Sequence, residues 1–472
     1  MTLTTALLWL APPLLLVISL FAAGHALLNK RDSRAAFGWI GVCMSLPLAG
    51  PLLYLIFGIN RVNVTARRHY VTKLPKDTAG TELTPAGTAF RPLSLVGENV
   101  VGKGLTCCDE VLMLENGEAL YPSMLKAIAG ARHQVLLYTY LFDTDGTGQQ
   151  FVAALCAARE RGVEVKIIID GMGERLSLGR IGPLLRRHGL DFTYFNPLTL
   201  IPPAFNVNLR SHRKLLIIDN DYAFTGGANI GDRHLAQKAD NPHRVLDIHF
   251  RLRGRIVDEL EWAFRRDWHY CQETRDLHPF THTNPARPDA PVWSRLVLDG
   301  PNKALDRLND LMVGVISAAQ QRVWIMTPYF LPTLDLLGAL TGARLRGVDV
   351  QILLPGTNNI KPAHWASRNL LRQVLENHIA VHYQPPPFVH SKLMLIDDHY
   401  ALIGSANMDP RSLRLNYELA VELFSPAVNA ELAAYFAGRR DVSRPVTLQE
   451  ITGRSLPERL RDSFAWLFSP YL

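Results

Sequence analysis

The sequence predicts an α/β protein made of two similar α/β halves with mixed sheets, related by a pseudo-two-fold axis and preceded by an N-terminal transmembrane helical hairpin. Three observations predict it. SHRKLLIIDNDYAFTGGAN at 211–229 returns in altered form as HSKLMLIDDHYALIGSAN at 390–407. Apolar, strand-like runs alternate with helix-patterned stretches at matching places in both parts of the chain, as a mixed or parallel sheet with covered faces requires. Two long runs without a charged side chain occupy the first 60 residues.

Residues 6–28, ALLWLAPPLLLVISLFAAGHALL, are long enough to cross a bilayer as a helix, and no charge appears before Lys30. A cleaved leader is the competing reading; the missing positive start and the length of the apolar run count against it. Residues 36–58 form the second expected span, with Trp39 and Tyr54 near its ends as interfacial anchors. Lys30, Arg31 and Arg34 lie in the turn between the spans, and Arg61, Arg67, Arg68, Lys73 and Lys76 follow the second, so the positive-inside count favours a cytoplasmic body. The expectation is a multi-pass protein of a bacterial inner membrane. Residues 61–105 read as a linker, with Thr, Gly and Pro clustered in KDTAGTELTPAGTAF.

The first half is expected over 106–285 and the second over 286–472. ARHQVLLYTYLF (131–142) matches AQQRVWIMTPYF (319–330), and RGVEVKIIIDG (161–171) matches RGVDVQILLPG (346–356). Length and a hydrophobic content of 48% supply ample core. A net charge of +7 on 50 basic and 43 acidic residues is ordinary and, by itself, decides no partner. Five cysteines without metal-like spacing point weakly to a reducing compartment.

Within the repeat, LLII and LMLI suit central strands buried on both sides. His212 and Lys214, like His390 and Lys392, stand at i and i+2 and so share one face of a strand. Small residues in GGAN and GSAN let the backbone approach a ligand ahead of a helix. A doubled His–Lys pair suggests phosphoryl chemistry. One imidazole can attack phosphorus, the other can protonate the departing oxygen, and two lysines can hold the non-bridging oxygens. No metal or cofactor is expected, since neither motif carries clustered carboxylates or Cys/His ligand spacing.

A nucleophilic imidazole needs a carboxylate on its other nitrogen to fix its tautomer. Asp247, in HRVLDIHF after the first motif, and Glu418, in LNYELAVELF after the second, are the candidates, each in an apolar, strand-like run. Asp219 and Asp397 lie at the far end of the buried runs; a structural role in the turn is expected, with a direct proton role as the alternative. His234, His243, His249, His364, His378, His382 and His399 have no matching partner at repeat spacing and read as structural.

These residues resemble the phospholipase D superfamily, whose signature H-x-K-x4-D-x6-G-[GS]-x-N occurs twice. His212, Lys214, Asp219, Gly226, Gly227 and Asn229 match one copy; His390, Lys392, Asp397, Gly404, Ser405 and Asn407 match the other. MLENGEALYPSML, YLFDTDGTGQQF, SANMDPRSLRLNYELAVELF and the hairpin ending in GPLLYLIFGIN resemble bacterial cardiolipin synthases with two spans, over nearly the whole chain. The resemblance implies catalytic roles for His212, Lys214, Asp219, His390, Lys392 and Asp397, and phosphate contacts at Gly227, Asn229, Ser405 and Asn407, with the Ser405 hydroxyl on one side only.

It further implies that His212 attacks phosphatidylglycerol to give a phosphatidyl-histidine, that His390 protonates the leaving glycerol, and that a second phosphatidylglycerol then yields cardiolipin. Anionic phospholipids and the membrane are the expected partners, nucleic acid is not, and the oligomeric state is open, a homo-oligomer included. A membrane-anchored phospholipase D that transfers to water or other alcohols, and a non-catalytic lipid-binding membrane protein, are the alternatives.

Overall fold

The computed structural model describes residues 3–30, 33–58, 90–197, 208–238, 240–274, 283–285, 291–301 and 305–469. It divides into two compact units, Met1–Arg68 and His69–Leu472. Most of the expected linker, and with it Arg61, Arg67, Arg68, Lys73 and Lys76, lies outside the described residues, as does Arg31.

In the first unit, helix Leu3–Asn29 runs unbroken past Pro12 and Pro13. Among the described residues it is the one helix long and apolar enough to cross a membrane. The second expected span differs. Helix Ser33–Ser45 stops, and the chain resumes as a short helix, Ala49–Leu53, and a π turn, Tyr54–Gly58. Pro47 and Pro51 each remove a backbone donor. Gly50 allows the close turn, since a Cβ there would stand 2.7 Å from Cys43 Cα. Tyr54 consequently packs beside Ala22, Ala23, Ala26 and Cys43, with its hydroxyl 2.8 Å from His25 Nδ1 and its ring edge-on to Trp39, rather than at an outer end of a span.

The second unit holds two sheets of matching topology. The first contains β2 (Glu110–Glu115), β3 (Gln134–Thr139), β4 (Glu164–Asp170), β5 (Asp191–Phe195), β6 (Leu215–Ile218), β7 (Tyr222–Gly226) and β9 (Ile248–Arg253), in the order β2-β9-β7-β6-β3-β4-β5. The second contains β10 (Val292–Asp299), β11 (Arg322–Met326), β12 (Asp349–Pro355), β13 (Ala380–Gln384), β15 (Leu393–Ile396), β16 (Tyr400–Gly404) and β17 (Glu418–Phe424). Their order, β10-β17-β16-β15-β11-β12-β13, repeats the first, with β1 (Thr106–Cys108) and β18 (Arg444–Pro445) added at its edges. In each sheet the three strands of the β-α-β units are parallel and the rest antiparallel, hence the mixed character. A two-stranded parallel pair, β8 (Val245–Leu246) with β14 (Phe388–Val389), joins the halves.

The continuous apolar runs become central strands as their composition requires: LLII of β6 and LMLI of β15 are buried along their whole length. Helices Asn116–Gly130 and Gly146–Glu160 cover one face of the first sheet through Leu120, Met124, Phe151 and Leu155. Helices Arg307–Ala318 and Leu334–Leu345 do the same in the second through Leu311, Val315, Leu336 and Leu340.

The boundary expected at residue 106 is not where the structure changes hands. Within the stretch read as linker, Arg91–Val101 is a helix whose Leu93 and Val101 join the core of the second half. Gly97 lets it approach the buried Arg295–Glu422 ion pair (2.7 Å). β1 then pairs with β10, so the chain builds an edge of the second sheet before entering the first.

Candidate active site

Both motifs arrive at one place because the approach to each is hydrogen-bonded to the other half. His390 N–H donates to Leu246 O (2.7 Å) at the end of the β8–β14 pair, immediately before Asp247. Reciprocally, His212 N–H donates to Tyr417 O (2.9 Å) and Tyr417 N–H to Arg210 O (2.8 Å), immediately before Glu418. The two imidazoles face each other with ring centroids 6.5 Å apart and planes at 78°.

The carboxylates are exchanged between halves. His390 Nδ1 lies 2.8 Å from Asp247 Oδ2, and His212 Nδ1 lies 3.4 Å from Glu418 Oε2 and 3.2 Å from Ser405 O. The sequence had suggested that each acid serves the histidine of its own motif. Asp247 and Glu418 instead reach across, because strand pairing between halves sets each acid beside the other half's histidine. Both carboxylates are fully buried. With a carboxylate at Nδ1, the Nδ1–H tautomer is assigned to each ring, which turns the Nε2 lone pair away from the carboxylate.

Lys214 Nζ donates to His212 O (2.7 Å) and Lys392 Nζ to His390 O (2.6 Å), so each lysine curls back beside its histidine. Lys392 Nζ also stands 3.0 Å from both ring nitrogens of His390, and with Nδ1–H directed at Asp247 it is Nε2 that accepts from the lysine. Burial, followed by Lys214, pulls His212 below its ordinary value of 6.5, and burial followed by Lys392 pulls His390 well below it. Burial would push Glu418 up, but His212, Ser405 and Lys214 outweigh it and hold the acid ionised. Burial lowers Lys214 to about 7 and Lys392 to about 8, the carboxylates opposing it. A phosphodiester's negative charge entering between them would raise both histidines and both lysines again, so an anion would complete the site.

Asp219 and Asp397 are set apart from this cluster. Asp219 accepts from the backbone N–H groups of Arg132, His133 and Gln134, and Asp397 from those of Gln320, Gln321 and Arg322. Each lies beyond the whole length of β6 or β15 from its lysine and ties the hairpin turn to the start of β3 or β11. This geometry favours the structural role over the catalytic one that the resemblance implies. The Ser405 hydroxyl also has partners within the protein. It donates to Glu418 Oε2 (2.5 Å) and accepts from Leu419 N–H (3.0 Å), which turns it towards the carboxylate.

Gly227 holds the equivalent place beside Asp247. A Cβ there would stand 2.6 Å from Asp247 Oδ2. The pairs Gly227/Asp247 and Ser405/Glu418 are thus two solutions to one packing problem: the shorter acid stays near the backbone and excludes a side chain, whereas the longer one reaches past a serine. Asn229 uses its Oδ1 to accept Leu141 N–H (3.1 Å), and Asn407 is buried with it at the opposite turn.

Several residues escaped sequence reasoning. Tyr140 meets His212 edge-to-face (centroids 5.2 Å) and lies under Lys214 Nζ at 5.6 Å. Its counterpart in the repeat is Pro328, a difference that a position-by-position comparison of the two copies exposes. Ion pairs fix the frame: the buried pairs Arg210 with Asp170 (3.4 Å) and Arg213 with Asp267, and the half-buried Arg233 with Asp143 (2.8 Å). His234, set aside as structural, accepts Asn229 N–H on Nε2 (3.2 Å), and burial lowers it to about 3, so it stays neutral. Among the described residues no three His, Cys, Asp or Glu side chains gather as a metal site would need.

Comparison with known proteins supplies independent relatives. The family model described as "Cardiolipin synthase, PLD-like domain" matches residues 124–268 and 312–440, and one described as "Phospholipase_D-nuclease N-terminal" matches 17–58. Cardiolipin synthase A of Pseudomonas aeruginosa is 33% identical over 443 residues, covering 89% of this chain and 88% of that protein. The cardiolipin synthase of Clostridium perfringens is 28% identical over 461 residues, covering 94% and 96%. Among solved structures, phosphatidylserine synthase of Haemophilus influenzae superposes with a TM-score of 0.65 at 15% identity, covering 80% of this chain and all of that one, which is a likeness of fold.

Proposed function

Because the chain belongs to the family of phospholipase D-like cardiolipin synthases, we propose that it transfers the phosphatidyl group of one phosphatidylglycerol to another, releasing glycerol and forming cardiolipin. The observation that carries this reading is the pair of imidazoles, 6.5 Å apart, each with a buried carboxylate at Nδ1 and a lysine at its side. The resemblance to the superfamily assigns His212 as nucleophile, and Glu418 would then hold its Nε2 lone pair towards phosphorus.

In the first step the N–P bond forms and the P–O bond to glycerol breaks, while His390 gives its proton to the departing oxygen. That proton is held once the substrate's negative charge offsets Lys214 and Lys392. In the second step His390, now neutral and kept in register by Asp247, takes the proton from the terminal hydroxyl of the acceptor. The freed oxygen attacks phosphorus, and the N–P bond breaks. Lys214 and Lys392 would stabilise the charge on the non-bridging oxygens in both steps.

A membrane location follows from lipid substrates and from the apolar helix Leu3–Asn29. The finer reading, a hairpin that crosses the inner membrane twice with the catalytic body in the cytoplasm, rests on the charge-free run at 36–58 and the basic residues that flank it. Full-length protein incubated with phosphatidylglycerol in mixed micelles should give cardiolipin and glycerol in equal amounts by mass spectrometry. Phosphatidic acid as the sole lipid product would mark a hydrolase instead, and adding phosphatidylethanolamine tests it as an alternative donor.

A further inference from the structure

The C-terminal helix Leu456–Leu467 presents a face that the catalytic groups do not use. Leu456, Leu460, Phe464 and Leu467, joined by Phe468 past the last turn, are between 49 and 65% exposed. At helical spacing these five side chains cover a stripe about 120° wide, the width that normally faces a core. Here it faces outward. The opposite side of the helix is the fixed one: Ala465 packs with Leu331 and Ala366, and buried Asp462 takes ion pairs from Arg368 (3.0 Å), Arg454 and Arg461. A capping box at Ser455 and Glu458 secures its start.

The stripe is bordered by cations and an interfacial aromatic. Arg461 flanks one edge and lies over the Trp365 ring at 4.7 Å, while Arg459 and Trp466 flank the other, both exposed. Its place in the fold is also defined. Leu331, which touches Ala465, donates its N–H to Met408 O (2.7 Å), one residue beyond Asn407. The C-terminal end of the helix therefore borders the active-site end of the second sheet.

We propose that helix Leu456–Leu467 is an interfacial contact with an anionic bilayer, its apolar stripe immersed at the boundary of headgroups and acyl chains and its arginines among the lipid phosphates. A lipid surface is favoured over a second copy of the chain because the stripe has arginine on both edges, which a copy of itself would meet with like charge and an anionic bilayer with opposite charge. The contact is separate from the catalytic groups, so its failure would leave the transferase reading intact.

The test uses the full chain with Cys156→Ser and Cys271→Ser, reconstituted in vesicles of phosphatidylglycerol and phosphatidylcholine and labelled with an environment-sensitive fluorophore at Phe464→Cys. The label reports only its own surroundings, whatever part helix Leu3–Asn29 takes in holding the protein at the bilayer. Emission should shift to the blue, with quenching several-fold stronger by nitroxide lipids than by aqueous iodide. Adding Leu460→Glu should return the label to iodide. Quenching by iodide alone overturns the proposal. Label-to-label self-quenching between chains without quenching by nitroxide lipids overturns it in favour of a second copy.

Discussion

Asp247 and Glu418 decide what each histidine can do, since a buried carboxylate at Nδ1 fixes the tautomer and stabilises the imidazolium. Their exchange between halves makes the two acids separable by experiment. With His212 as nucleophile, Glu418→Gln should slow formation of the phosphatidyl-enzyme by a factor on the order of 10^3 to 10^4, by analogy with loss of a triad carboxylate. Asp247→Asn should slow the natural reaction similarly. It should spare the burst of p-nitrophenol from a phosphatidyl-p-nitrophenol substrate, whose leaving group needs no proton. Rapid-mixing absorbance measures both; a burst lost in Asp247→Asn and kept in Glu418→Gln would reverse the roles of the two histidines. The motif histidines and lysines were legible in the sequence because identity and spacing are local and recur in both copies. The destination of the Ser405 hydroxyl was not, since Glu418 lies 13 residues away and meets it only through the pairing of β16 with β17.

At the scale of elements, the hairpins β6–β7 and β15–β16 carry the motif, and their turns explain why aspartate recurs at both far ends. Asp219 and Asp397 have positive φ (53° and 52°), which aspartate tolerates better than most residues, and each carboxylate gathers three backbone N–H groups. Asp219→Ala and Asp397→Ala should each destabilise by about 1–3 kcal/mol from the unmet donors. Thermal unfolding should fall by several degrees, with turnover per folded molecule kept within a few-fold. A hundred-fold loss of turnover at unchanged Tm would return the residue to the chemistry. Strand positions were readable from apolar runs because a strand buried on both faces has little choice of composition. The break at Leu46–Leu48 and the helix Arg91–Val101 were obscured for opposite reasons. Hydropathy is blind to a backbone kink inside an apolar run, and a Pro-, Gly- and Thr-rich neighbourhood masked an amphipathic turn.

Over the whole molecule, one chain supplies both histidines and both acids, and contacts between the halves bring them together. Co-expressing His212→Asn with His390→Asn chains should leave cardiolipin formation absent, since each mixed pair still contains only incomplete sites. Activity recovered on co-expression, measured by lipid mass spectrometry, would mean that halves are shared between chains. The charge of the site is likewise a property of the whole: two histidines, two lysines and two acids are buried together, and it is first of all their removal from water that depresses both histidines and both lysines.

By itself the sequence determined that the chain is duplicated, that each copy places a histidine and a lysine on one strand face, and that the doubled motif suits phosphoryl chemistry. Periodicity and spacing report which face of an element a side chain occupies, and that much is local. Only the tertiary structure decided that Asp247 serves His390 and Glu418 serves His212, that Gly227 makes room for one acid while Ser405 binds the other, and that the first strand of the body belongs to the second sheet. The exchange of acids and the placing of that strand depend on pairings between segments more than a hundred residues apart, and the Gly227 and Ser405 contacts on neighbouring strands of one sheet; each contact exists only once strands have paired, so no local pattern selects the partner.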